Sequence, residues 1–173
     1  MSADPSFSAS RRAFLKLSRQ TREVSISPPR SDETTLAAHC TGCSDCVTAC
    51  PEKIIVLGSD RRPLLDFDKG ACTFCDVCAE ACPTDAIDST RELDWPWKAE
   101  VQNTCLSMNG VMCRTCEDVC EPRAIRFKLA LGGKSAPLVD FAQCTGCGAC
   151  AHSCPAQAIR INKSQDQTKK VTA

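Results

Sequence analysis

The 173-residue chain has no tyrosine, only two tryptophans and six phenylalanines, and a formal net charge of zero. With so few large rings it cannot fill a broad conventional core, so something besides apolar burial must help to hold the fold. A balanced charge argues against a general nucleic-acid binder, which presents a basic face. No apolar run approaches the ~20 residues of a membrane span. There is no G-x-G-x-x-G, no G-x4-G-K-[ST] and no credible nucleophile–base pair, so nucleotide-cofactor sites and covalent catalysis have no support. Collagen-like, coiled-coil, membrane-spanning and plainly disordered readings are excluded.

What the chain has in abundance is cysteine: sixteen in 173 residues. They fall into four sets of four, at Cys40, Cys43, Cys46, Cys50; Cys72, Cys75, Cys78, Cys82; Cys105, Cys113, Cys116, Cys120; and Cys144, Cys147, Cys150, Cys154. Three sets read C-x2-C-x2-C-x3-C-P, the run that binds [4Fe–4S] clusters in bacterial ferredoxins. The third reads C-x7-C-x2-C-x3-C and ends Cys120-Glu121-Pro122. A cubane offers iron at four corners, each wanting one thiolate. Cysteines at i, i+3 and i+6 on a curling loop can face one centre, while the fourth leaves on a short helix towards a neighbouring one.

Three rival uses of cysteine fit less well. Structural zinc commonly separates its C-x2-C pairs by a dozen or more residues and does not need a third cysteine at i+6. A disulfide scaffold needs export to an oxidising compartment. A redox C-x2-C pair occurs once beside an α/β pattern, not four times. A Rieske centre would replace two cysteines by histidines, whereas His39 and His152 each sit beside a complete cysteine set and read as ordinary surface or loop residues.

The spacing repeats at a larger scale. A short phrase follows each fourth cysteine: Cys50-Pro-Glu-Lys-Ile-Ile, Cys82-Pro-Thr-Asp-Ala-Ile, Cys120-Glu-Pro-Arg-Ala-Ile and Cys154-Pro-Ala-Gln-Ala-Ile. Its isoleucine is expected to turn inward over a cluster. Pro63–Phe67 and Pro137–Phe141 read as short strands, with Ile54–Leu57 and Ala124–Leu129 as their hairpin partners. The chain is thus a duplication of a duplication. The expected fold class is α+β: two tandem bacterial-type two-[4Fe–4S] ferredoxin modules over residues 36–90 and 105–162, each with two short hairpins. A linker, residues 91–104, joins them, and its Trp95 and Trp97 are expected to pack the modules together.

The ends differ from the middle. Residues 1–35 hold no cysteine and form a flexible basic N-terminal segment. Within it Ser10–Arg22 interleaves Arg11, Arg12, Lys16, Arg19 and Arg22 with Phe14, Leu15 and Leu17, consistent with a short basic amphipathic helix. The Ser10-Arg11-Arg12 start looks like a twin-arginine export motif, but a polar stretch follows where a signal needs an apolar one. The expectation is therefore a docking element in a cytoplasmic protein. Residues 163–173 read as a disordered tail. Residues 36–90 carry four basic and nine acidic side chains, net −5, and residues 105–162 carry six and four, net +2. Each oxidised cluster with its four thiolates adds about −2, so the loaded chain should be near −8.

Residues 36–162 resemble polyferredoxins. The closer resemblance is to the ferredoxin-type accessory proteins of the periplasmic nitrate reductase system, and three features carry it: the basic Ser-Arg-Arg, the four cysteine sets, and the lengthened Cys105–Cys113 loop. The resemblance implies a cytoplasmic, non-enzymatic iron–sulfur protein with four [4Fe–4S] clusters. Its partner would be the catalytic subunit of periplasmic nitrate reductase before export, whose iron–sulfur centre it would help to assemble. A second reading is an electron-transfer polyferredoxin subunit serving a reductase. In the ferredoxin arrangement the ligand sets cross. The expected sets are Cys40, Cys43, Cys46 with Cys82; Cys72, Cys75, Cys78 with Cys50; Cys105, Cys113, Cys116 with Cys154; and Cys144, Cys147, Cys150 with Cys120. Cys105 is the assignment on which the unusual loop bears most.

Overall fold

The computed structural model describes residues 25–129 and 134–163. The expected basic helix at Ser10–Arg22 and the tail from 164 onward lie outside them. Helix α1 (Glu33–His39) is followed by α2 (Asp45–Ala49), strands β1 (Ile55–Leu57) and β2 (Pro63–Leu65), and helix α3 (Val77–Glu80). The second half contains β3 (Trp97–Val101), a 3-10 turn at Ser107–Asn109, α4 (Thr115–Asp118), β4 (Ile125–Leu129), β5 (Ser135–Val139), α5 (Ala149–His152) and β6 (Ile159–Lys163). The strands form three two-stranded antiparallel sheets: β1–β2, β3–β6 and β4–β5.

Two of the sheets are the hairpins expected from sequence. Ile55 faces Leu65, and Ile125 faces Val139. The first hairpin turns where Gly58 N–H donates to the Arg62 carbonyl at 2.9 Å and Arg61 N–H to the Gly58 carbonyl at 3.0 Å. The turn of the second, residues 130–133, lies outside the described residues. The third sheet is not a hairpin. Its strand β3 comes from the stretch read as linker, and it pairs with β6, Trp97 opposite Lys163 and Val101 opposite Ile159. Trp97 and Ala99 are buried on one face of β3, which begins at the last residue of the Trp95-Pro96-Trp97 of the expected linker.

The first half also begins earlier than the cysteines suggest. Ile26 and Pro28 are buried, and the Ile26 carbonyl accepts from Leu65 N–H at 2.8 Å. Arg30 pairs through two guanidinium nitrogens with Asp76 at 2.7 and 2.8 Å. This lays residues 26–30 along the module where the second half has β3. Asp32 caps α1, accepting from Thr35 N–H at 2.8 Å while the Thr35 hydroxyl accepts from Asp32 N–H. The other helices span four or five residues, too short to persist alone, so they depend on the loops that feed them.

The core is a chain of small side chains and thiols. Each post-cysteine phrase supplies it: Ile54 and Ile55, Ala86 and Ile87, Ala124 and Ile125, and Ala158 and Ile159 are all buried. No helix among the described residues is long and apolar enough to cross a membrane.

Candidate iron–sulfur centres

In sets one, two and four the residues on both sides of the second cysteine take left-handed backbone. Gly42 and Ser44 have φ of 69° and 75°, Phe74 and Asp76 have 53° and 60°, and Gly146 and Gly148 have 71° and 85°. Two such residues around one cysteine curl the loop tightly, and the second of them then opens the short helix that carries the third cysteine. Ser44, Phe74 and Asp76 have a Cβ, and each occupies this region at a cost of about 1–2 kcal/mol. A third recurring kink follows the fourth cysteine, where Lys53, Arg123 and Gln157 have φ of 54°, 53° and 49° and donate N–H to the carbonyls of Cys50, Cys120 and Cys154.

These loops gather the thiols into four hollows of similar size. Site 1 is lined by Cys40, Cys43, Cys46 and Cys82, under Leu36 and Ile87. Site 2 is lined by Cys50, Cys72, Cys75 and Cys78, under Ile54 and Leu65. Cys105, Cys113, Cys116 and Cys154 line site 3, and Cys120, Cys144, Cys147 and Cys150 line site 4. The fourth cysteine of each set thus stands in the hollow of its pair.

Set three reaches its hollow by a different route. Arg114 has φ −134°, so the loop does not curl as the others do. Instead the 3-10 turn at Ser107–Asn109 ends at Gly110, φ 81°, and Val111 N–H donates back to the Leu106 carbonyl at 2.9 Å. The Asn109 amide donates to the carbonyls of Asn103 and Cys105, both at 2.8 Å, and the Ser107 hydroxyl meets that of Ser135. This bracing returns Cys105 to the thiols of Cys113 and Cys116. Met112 at the loop tip is 96% exposed.

All sixteen cysteines are free. Burial, helped by the charge of neighbouring thiols, pushes Cys46, Cys72, Cys78 and Cys116 up to about 11 and Cys150 up to about 12. Iron must displace those protons to bind. At Cys82 burial raises the thiol, but the Thr84 hydroxyl and the N–H groups of Thr84, Ile87 and Ala86 outweigh it and bring it below its ordinary value. The Cys120 and Cys154 sulfurs accept from Ala124 and Ala158 N–H, both at 3.2 Å. Beside site 2, the hydrogen bond from Arg30 holds the Asp76 carboxyl below its ordinary value.

Among the described residues no three Cys, His, Asp or Glu converge closely enough to hold one metal ion. Four thiols around a wider hollow fit a cubane, in which each sulfur has its own iron, better than a zinc ion with all sulfurs at about 2.3 Å. Neither histidine lines a hollow. His39 is exposed at the end of α1, and the His152 ring meets the Asp68 carbonyl at 3.1 Å.

The comparisons agree with the geometry. A 4Fe–4S dicluster domain model matches twice, over residues 39–86 and 111–158. The fold and the sites therefore define a ferredoxin-type iron–sulfur protein with two dicluster domains and four [4Fe–4S] clusters. A ferredoxin-type protein NapF of Haemophilus influenzae is 46% identical over 140 residues, 80% of each chain. The ferredoxin-type protein NapF of Escherichia coli is 39% identical over 152 residues, 87% of this chain and 93% of that one. The chain belongs to the NapF family of ferredoxin-type proteins.

Proposed function

We propose that this protein is a cytoplasmic [4Fe–4S] accessory protein that assists maturation of the periplasmic nitrate reductase catalytic subunit, supporting assembly of that subunit's iron–sulfur centre before export. The sixteen cysteines are the cluster ligands, in the crossed sets that line sites 1 to 4. The chain performs no substrate turnover of its own. The observation that carries the reading is the pairing of hollows within each half. Cys46 lies on helix α2 and Cys50 caps its C-terminal end, and they line sites 1 and 2 respectively, so one short helix bridges the two sites of the first half. When bound, the clusters supply one-electron storage at each site. The protein's residues hold the sites close, shield them with the isoleucines of the post-cysteine phrases, and present the more acidic first half to a basic partner surface.

Arg11, Arg12, Phe14 and Leu15 are assigned to docking. The test is capture of the unexported catalytic subunit by the full chain and by a chain lacking residues 1–24, a cut that spares buried Ile26 and Pro28. The full chain should retain the precursor, and the shortened one should bind more weakly with unchanged iron. Absence of binding by the full, iron-loaded chain would overturn the maturation role and leave the electron-transfer reading.

A further inference from the structure

The two halves meet at particular sites. Cys72, lining site 2, donates its N–H to the carbonyl of Cys147, lining site 4, at 2.8 Å. Four other contacts surround that bond. The Phe67 ring lies where a Cβ on Gly148 would stand, 2.1 Å from its Cδ1. Phe74, lining site 2, packs edge-on against Trp95 with centroids 5.7 Å apart. The Trp95 indole N–H donates to the Gly146 carbonyl at 3.4 Å, and His152 on α5 meets the Asp68 carbonyl. Among the described residues, none that lines site 1 or site 3 makes these contacts. The described lining of site 1 runs from Leu36 to Ile87, and that of site 3 from Val101 to Ile159.

We infer that the four sites form a single file in the order site 1, site 2, site 4, site 3, so that chain order and electron order differ. The two inner sites face each other across the Cys72–Cys147 bond. The outer two are the terminals: site 1 beside α1 and Arg61, and site 3 beside the lengthened loop with Met112 at its tip. This deepens the proposed function and rests on its reading that each hollow holds a cluster. Along the file each transfer moves one electron. One site is oxidised and its neighbour reduced, with no bond made or broken and no proton moved. The electron enters one terminal from a one-electron carrier protein, either an iron–sulfur or a flavin protein. It leaves the other to a one-electron acceptor in the partner.

The two terminals share a chemical mark. The Cys82 sulfur at site 1 lies 3.6 Å from the Thr84 hydroxyl, and the Cys113 sulfur at site 3 lies 3.7 Å from the Thr115 hydroxyl. Among the described residues no side-chain hydroxyl is in such contact with a thiol of sites 2 or 4. Backbone N–H bonds reach thiols of inner and outer sites alike, Cys120 at site 4 included, so it is the hydroxyl contact that sets the outer sites apart from the inner pair.

The test is dipolar coupling between reduced clusters, read by pulsed electron paramagnetic resonance on the full iron-loaded chain. Three nearest-neighbour couplings are expected: one within each half and one between halves. Cys43→Ser disables site 1, and the coupling between halves should survive it. Cys147→Ser disables site 4, and that coupling should be lost while the coupling within the first half persists. Loss of the coupling between halves in Cys43→Ser, or its survival in Cys147→Ser, overturns the order. In each variant the coupling within the untouched half reports that the chain has folded. A wild-type chain with both couplings inside the halves but none between them refutes the file alone. One lacking the couplings inside the halves refutes the four-cluster reading beneath it.

Discussion

Replacing Gly146 by alanine tests how the strand β3 is seated against site 4. Gly146 stands between Cys144 and Cys147 with φ 71°, and a Cβ there would lie 2.1 Å from the Trp97 carbonyl oxygen, 2.8 Å from Trp95 Nε1 and 2.9 Å from the Trp97 carbonyl carbon. Two of those atoms are backbone of a strand paired to β6, so they cannot swing aside as a side-chain tip would. Gly110 is the natural control. It too lies between the first and second cysteines of its set and has φ 81°, but a Cβ there meets nothing within 4 Å. Gly110→Ala should therefore cost only the left-handed backbone penalty, about 1–2 kcal/mol. Gly146→Ala should cost that and a further ~1–3 kcal/mol for forcing atoms into a filled space. Cluster loss is irreversible, so the suitable assay is a rate: decay of the brown visible absorbance under chelator without oxygen. At about 1.4 kcal/mol per factor of ten, Gly146→Ala should lose colour roughly 5- to 150-fold faster than Gly110→Ala. Equal rates for the two variants would refute the claim that the Trp97 backbone closes over site 4.

Other perturbations address separate parts of the structure. Cys105→Ser should lower iron by between about one and four per chain from about sixteen and leave the other three sites intact; unchanged iron and sulfide would show that the Asn109-braced loop does not deliver a ligand. Removing the clusters should abolish far-UV dichroism and protease resistance across residues 26–163, because thiols and short helices make up so much of the core; an apo chain that kept both would refute it. Asp32→Ala should lose the α1 cap at a cost of about 0.5–2 kcal/mol, seen as faster amide exchange at Leu36 and Cys40. The bonds from the Thr34 hydroxyl and the Thr35 N–H hold the Asp32 carboxyl down at about 2. Its contribution is therefore complete above the ordinary carboxylate range and fades as pH falls through about 2. The difference in exchange between wild type and Asp32→Ala should therefore stay constant across the neutral range in which the clusters are intact, and a difference that faded between about pH 8 and 6 would contradict the assignment.

The grouping of thiols was legible because C-x2-C-x2-C-x3-C is a local geometric code, complete within eleven residues. The two hairpins were legible for a similar reason: short apolar strands close to their turns. What sequence reading missed was non-local. Residues 26–30 have no cysteine, so nothing marked Ile26 and Pro28 as core or Arg30 as the partner of Asp76, 46 residues away. Strand β3 was hidden because its partner β6 lies about 60 residues further on. The left-handed Ser44, Phe74 and Asp76 carry no glycine signal, and only the matching glycines, Gly42 in set one and Gly146 and Gly148 in set four, hinted that those positions bend. The two tryptophans were assigned to packing, and Trp95 does touch both halves, against Phe74 and Gly146.

The pairing of β3 with β6 also sets a timetable for synthesis. The ribosome releases Trp97–Val101 long before Ile159–Lys163, so β3 waits with an open edge and its apolar Trp97 and Ala99 without their partner strand. Over the same interval Cys105, Cys113 and Cys116 wait for Cys154, the last of the sixteen thiols in order. The first half waits in the same way, Cys46 for Cys82, but site 2 has all its thiols once Cys78 is made and site 1 once Cys82 follows, both well before Cys154. The thiols of the N-terminal half are therefore complete first. The outer site of the C-terminal half has its full set of thiols last of the four, so during synthesis its early thiols stand open after the other three sets are complete.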